Sequence, residues 1–118
     1  MRYTTTFRHA VDGLRHCFRH ERNFRIHTVF AALALILAWV LRISSTQWLF
    51  IITAIASVFA LELVNTVFER VVDMFQPRVH HYAGIIKDLM AAAVLVAALS
   101  AIVVGSLIFI PLLITRLS

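Results

Sequence analysis

Apolar residues fall into four blocks along this 118-residue chain, and each block carries its own spacing. In the first, Phe7, Val11, Leu14 and Phe18 recur at i, i+4, i+7 and i+11, which is one face of a helix. Arg8, Asp12, Arg15, Arg19 and Arg22 fill the other side. Residues 1–25 therefore read as a basic amphipathic helix lying in the headgroup plane of a bilayer. The second block is the apolar run Thr28 to Leu41, shorter than the roughly 20 residues a perpendicular span needs. Ile26, His27 and Ile43 extend it to 26–43, with Arg42 snorkelling to the far headgroups. Ser44 to Thr46 form a turn. A third helix is expected over 47–75, with Trp48 at the aromatic-belt position. Gln76 to Tyr82, with Pro77 and two histidines, reads as a loop, and a fourth helix follows over 83–115, its last turn loosened by Pro111. The expected fold is an all-α integral membrane protein, a single domain over 1–118 with one interfacial helix and three transmembrane helices.

The third block is interrupted in an ordered way. Glu62, Asn65, Glu69 and Asp73 sit at offsets of 0, 3, 7 and 11, so at 100° per residue they share a sector of about 80° on one helix face. An ionisable group in a membrane-length helix costs a few kcal/mol at least, and such groups mark pathways or sites.

Composition agrees with the membrane assignment. Hydrophobic residues make up 61% of the chain and the mean hydropathy is +0.88, more apolar surface than a soluble domain of this size can bury. The formal charge of +5 is not a nucleic-acid footprint, because six of the eleven basic residues lie in the first 25 positions. That asymmetry signals topology first and an anionic-lipid patch second. Cys17 is the single cysteine, which leaves no disulfide or thiolate cluster within one chain. The first 25 residues are too charged to supply the apolar core of a signal peptide.

The basic residues place the N-terminus and the Arg70–Lys87 region in the cytoplasm, and the Arg42 turn and the C-terminus outside. Counting from Trp48 at 1.5 Å per residue puts Glu62 roughly 21 Å into the membrane, near the cytoplasmic headgroups. Lys87 and Asp88 open the last helix at the matching level, and the first helix brings Glu21 to the same plane. Carboxylates suit Mg²⁺ held together with substrate phosphates, and Lys and Arg suit phosphate oxygens. The inventory fits phosphoryl transfer at a membrane surface.

Three strings carry a resemblance: "ERNFRIH" (Glu21–His27), "ALELVNTVFERVVD" (Ala60–Asp73), and His80 followed by Lys87–Asp88 and the alanines Ala91 to Ala93. In order and spacing they are similar to the small prokaryotic diacylglycerol kinase / undecaprenol kinase family, and "ERNFRIH" resembles its branch from Gram-positive bacteria. The resemblance implies a homotrimer with shared active sites in a bacterial cell (inner) membrane, using ATP and Mg²⁺. It implies no Walker or protein-kinase loop, and neither G-x4-G-K nor H-R-D occurs here.

By the same resemblance Glu62 is the general base that takes the proton from a lipid hydroxyl. Glu21 and Glu69 are the metal-binding carboxylates that place Mg²⁺ on the ATP phosphates. Asn65, Asp73, His80, Lys87 and Asp88 join Glu21 and Glu69 in binding ATP, and Ala91 joins Glu62 in admitting the lipid. The implied reaction is phosphorylation of a membrane lipid alcohol, undecaprenol first and diacylglycerol as the alternative. A proton-coupled transporter is the rival from another class; it expects one acid near mid-membrane, whereas these acids gather at one leaflet beside a lysine. An assembly subunit without chemistry is the other. His81 and Gly84 stand where many relatives have proline and lysine, and Arg78 is available to supply the missing basic contact. His27 and Val79 stand where the Gram-negative branch has glutamate and tyrosine, a difference that bears on lipid preference and adenine contacts.

Overall fold

A computed structural model describes residues 2–78 and 80–117 of the chain. Among them the chain is entirely helical between short turns: α1 (Arg2–His20), α2 (Arg22–Val40), α3 (Ser45–Phe75) and α4 (His80–Leu117). Three of the four, α2 to α4, are long and apolar enough to cross a membrane. Most of their large apolar side chains, Phe30, Trp39, Phe50 and Leu107 among them, face outward. That is the expected arrangement where the surrounding medium is as apolar as the core.

The first break falls earlier than the 1–25 and 26–43 boundaries expected from the apolar pattern. Glu21 is extended (φ −111°, ψ 111°) and separates α1 from α2. Arg25 explains why the break is there. Its guanidinium donates to the carbonyls of Phe18 and Arg19, both at 2.9 Å, and so satisfies carbonyls that the end of α1 leaves without helical donors. Periodicity reads the side-chain face and not the backbone angle, so it runs through the hinge without registering it.

The turn between α2 and α3 is built from two caps. Arg42 has φ 53°, and the N–H groups of Arg42 and Ile43 donate back to Trp39 and Ala38. This is a Schellman end whose hydrophobic pair, Ala38 and Ile43, is buried in one cluster with Leu41, Ile51, Ile108 and Phe109. Ser44 then accepts from the Gln47 N–H at 3.2 Å while the Gln47 side chain accepts from the Ser44 N–H at 3.0 Å, a capping box that starts α3. Arg116, near the end of α4, donates to the Leu41 carbonyl at 3.1 Å and ties the third span to the same end.

At the other end, α4 begins at His80. His80 and His81, expected in a loop, lie on its first turn, and the described part of the connection is Gln76 to Arg78. Proline at 111 does not end the helix, which runs on to Leu117; the Thr115 hydroxyl donates to the Pro111 carbonyl at 2.9 Å. Here the surrounding turns hold the backbone that proline weakens.

Helix lengths then set the geometry. At 1.5 Å per residue α2 is about 28 Å long, α3 about 46 Å and α4 about 57 Å, against a hydrocarbon core of about 30 Å. Because all three meet at the Leu41–Ser44 end, the excess of α3 and α4 projects beyond the start of α2. Glu69 and Asp73, the far end of the polar stripe, lie on that projecting part, while Glu62 stands opposite α2. Ser44→Ala should cost about 1 kcal/mol of unfolding free energy in mixed micelles, while Arg42→Gly should leave it unchanged or raise it by up to about 1 kcal/mol. A loss at Arg42→Gly as large as that at Ser44→Ala would show that the Arg42 side chain, and not its backbone angle, holds the turn.

Candidate active site

Glu62 lies on α3 opposite α2, and it is buried to 4% exposure. Its carboxylate oxygen Oε1 lies 2.9 Å from Nδ1 of His27, which α2 supplies one and a half turns past the hinge. The contact is close but not aligned as a hydrogen bond. Both atoms are buried, and among the described residues neither has another partner. Thr66 is buried one turn on, its hydroxyl donating to the Glu62 carbonyl at 3.0 Å, so no hydroxyl competes for the carboxylate from that side.

Phe24 packs edge to face on Phe59, with ring centroids 5.1 Å apart, and seats the start of α2 against α3. This contact places the hinge, and with it half-buried Glu21, beside the stripe. The charges of Glu21 and Glu69 both act on Glu62. Glu69 in turn accepts from the Asn65 amide at 3.3 Å, one turn along the same face, while Oδ1 of Asn65 is buried and has no partner among the described residues. Lys87 of α4 reaches Asp73 at 2.8 Å and feels Glu69 as well. The stripe is thus met from α1–α2 by Glu21 and His27 and from α4 by Lys87.

Not every expected residue joins this cluster. His80 and Asp88 are exposed on α4, without a polar side-chain partner among the described residues. Asp88 stands about 100° round the helix from Lys87, so it points away from α3. Ala91 is exposed on α4. His27 is the residue the sequence pattern did not nominate. Its position beneath "ERNFR" was visible, but only the crossing of α2 over α3 brings it to Glu62.

Below the cluster an apolar groove of about 550 Å³ runs between α2, α3 and α4. On α2 it extends from Ile26 to Leu37, about 16 Å. Its walls include Ala31, Phe59, Ala98 and Gly105, and among its described lining residues His27 is the one titratable group. The site therefore has an oily side and a wet side, with Glu62 and His27 at the boundary.

Among the described residues no group of three or more His, Cys, Asp or Glu side chains is gathered into a preformed metal cage. Magnesium does not require one, since it is commonly held by one or two carboxylates together with substrate phosphates. Glu21 and Glu69 are oxygen donors whose charges both act on Glu62, and Oδ1 of Asn65, without a partner among the described residues, adds an acceptor. The donor set fits a hard divalent cation.

The prokaryotic diacylglycerol kinase family pattern matches residues 8–109. The chain belongs to this family. Undecaprenol kinase of Bacillus subtilis (strain 168) is 38% identical over 110 residues, covering 93% of this chain and 89% of that protein. Diacylglycerol kinase of Synechocystis is 36% identical over 107 residues, covering 90% of this chain and 61% of that longer protein. Diacylglycerol kinase of Escherichia coli (strain K12) is 30% identical over 95 residues, with 80% and 78% coverage. The protein is a multi-pass membrane lipid kinase, and the cluster around Glu62 is its candidate active site.

In this kinase the Asp73–Lys87 pair is exposed, and exposed pairs contribute little to stability. Asp73→Asn should leave the melting temperature in detergent unchanged within error. Lys87→Met should do the same yet lower ATP-dependent turnover by roughly a hundredfold. A melting temperature lowered in Lys87→Met would mean that Lys87 works by holding α3 to α4.

Proposed function

We propose that this kinase transfers the γ-phosphoryl group of ATP to the hydroxyl of a membrane lipid alcohol, with undecaprenol as the preferred acceptor. The observation that carries the reading is Glu62, a buried carboxylate at the junction of an apolar groove and a polar cluster. A lipid alcohol keeps its chain in hydrocarbon and its hydroxyl just below the headgroups. Only a base at that depth can reach it.

Glu62 accepts the hydroxyl proton as the lipid oxygen attacks the γ-phosphorus in line. The bond from that phosphorus to the β–γ bridging oxygen breaks, ADP departs, and the lipid phosphate forms without a phospho-enzyme. Glu21 and Glu69 would hold Mg²⁺ against the ATP phosphates, where the cation supplies neutralisation of phosphate charge. Lys87 meets the outer phosphate oxygens as a point charge. Asn65 orients Glu69 through the amide contact already in place. Asp73, His80 and Asp88 complete the nucleotide side, and Ala91 leaves room for a lipid chain or a close helix.

The chain sits in the bacterial cytoplasmic membrane with its N-terminus inside, and α1 lies in the inner headgroup layer with its Arg8, Arg15 and Arg19 face toward anionic lipid. A homotrimer with shared sites accounts for Asp88, which lies off the Lys87 face of α4 within one chain. Undecaprenol is favoured over diacylglycerol by the 38% identity to a kinase of that name and by the groove. Near His27 the groove walls are Ile26, Phe30, Ala31 and Phe59, which offer no donor to the ester carbonyls carried next to the hydroxyl of diacylglycerol. Burying such carbonyls unpaired is costly.

Transfer of labelled phosphate from ATP in detergent–lipid micelles, with undecaprenol and diacylglycerol side by side and with or without Mg²⁺, tests the reading. Metal-dependent labelling of undecaprenol is expected. Labelling of diacylglycerol alone would move the acceptor, and labelling of neither by the folded protein would overturn the assignment. Glu62→Gln should lower kcat by about 10²–10⁴-fold while nucleotide binding persists.

A further inference from the structure

The geometry points to His27 as the positioning residue of the base, an assignment that rests on the reading of Glu62 above. Three observations meet at this imidazole. Its Nδ1 lies 2.9 Å from Glu62 Oε1. Both atoms are buried, and each is the sole candidate partner of the other among the described residues. The same ring also lines the groove through which a lipid chain approaches. His27 therefore stands between the oily side of the site and its base.

A lone carboxylate in such surroundings has two defects as a base. It rotates about its terminal torsion, so no oxygen is held toward the incoming hydroxyl. It is also an unpaired buried charge, which a protein avoids by pairing or neutralising it. An imidazole carrying its proton on Nδ1 corrects both. It donates to Oε1 after a small rotation into alignment, fixes the plane of the carboxylate, and leaves Oε2 for the lipid hydroxyl. The arrangement is the general one in which a base is oriented by a third group, here with the polarity reversed: the histidine orients and the acid abstracts. Because α2 carries His27 and α3 carries Glu62, the pair forms only when the two spans are packed in register. The Phe24–Phe59 contact one turn away holds that register.

The position is also selective. A hydroxyl arriving from the groove meets the ring and the carboxylate together, so the imidazole sets how far the lipid must rise before its proton can be taken.

The test is a kinetic cycle on the full-length protein with undecaprenol in mixed micelles, using His27→Leu, His27→Asn, Glu62→Gln and the two double variants. Asparagine carries its amide nitrogen on Cγ, as histidine carries Nδ1, so it keeps a donor where Glu62 needs one. His27→Leu should lower kcat on the order of 10²-fold with the KM for ATP unchanged, and His27→Asn should recover it to within about tenfold of wild type. In the Glu62→Gln background neither change at 27 should lower kcat further, because the group they act through is gone. If the leucine variant does not fold, His27→Gln takes its place: its amide nitrogen sits one atom further out, and it should lose kcat where asparagine does not. Multiplicative losses in the double variants would overturn the proposal. So would an effect confined to KM, or an asparagine variant no better than leucine. Wild-type protein that labels no lipid would refute the reading of the reaction itself. Wild-type labelling with independent losses would refute His27 alone.

Discussion

A carboxylate at 4% exposure in the middle of an apolar helix is the constraint from which the rest of this structure follows. Alone, it would cost several kcal/mol or more, and nothing else on α3 relieves it. Among the described residues the group set against it comes from α2: Nδ1 of His27 lies 2.9 Å from its Oε1. The second span is thereby pinned near its start by Glu62 and at its end by the cluster of Ala38, Leu41 and Ile43 with Ile51, Ile108 and Phe109. A helix of 19 residues pinned at both ends is a ruler about as long as the bilayer core is thick. The longer α3 and α4 have no choice but to overhang at the end where α2 begins.

Polar contacts carry unusual weight in a protein of this kind. Most large side chains on the spans face outward, and burying them against another helix gains little over leaving them against lipid tails. The few directed contacts then decide the arrangement: Arg25 on the last carbonyls of α1, His27 on Glu62, Arg116 on the Leu41 carbonyl. Each joins a helix end to another element. None lies in the middle of the bundle, where the groove between the spans is left open and apolar. Fixed ends around an open middle allow a chain-like molecule to enter sideways while the reacting groups stay in place.

The sequence made the broad architecture legible because its signals are local. Hydropathy marks the three spans, and the 3.6-residue period places Glu62, Asn65, Glu69 and Asp73 on one face without any knowledge of neighbours. The family follows from the same strings, since their order and spacing match along most of the chain. The parts that were not legible are those set by contacts between elements. Glu21 becomes a hinge because Arg25 folds back on the end of α1, and no periodicity of side chains encodes that. His80 and His81 looked like loop residues next to Pro77, yet proline cannot prevent a helix from starting three residues later. His27 is the instructive case: a single histidine at the edge of an apolar run has no pattern to betray it, and its partner is 35 positions away along the chain. Its importance exists only in the crossing of α2 over α3.

The overhang also explains how phosphoryl transfer is possible without a phosphate-binding loop. The two substrates of the proposed reaction live in different media, one dissolved in hydrocarbon and the other in water. A site for both must hold a gradient of polarity over a fixed length. From Glu62 to Asp73 the α3 stripe climbs about 16 Å, from a fully buried acid through a half-buried amide and acid to an exposed acid paired with lysine. One rigid helix thus sets the depth of the buried acid and the height of the exposed polar groups at once. A loop would have to be ordered around the nucleotide to achieve the same spacing. Here the distance is built into the backbone, and in the proposed reaction the bilayer, by setting where α3 emerges, would align it with the lipid hydroxyl.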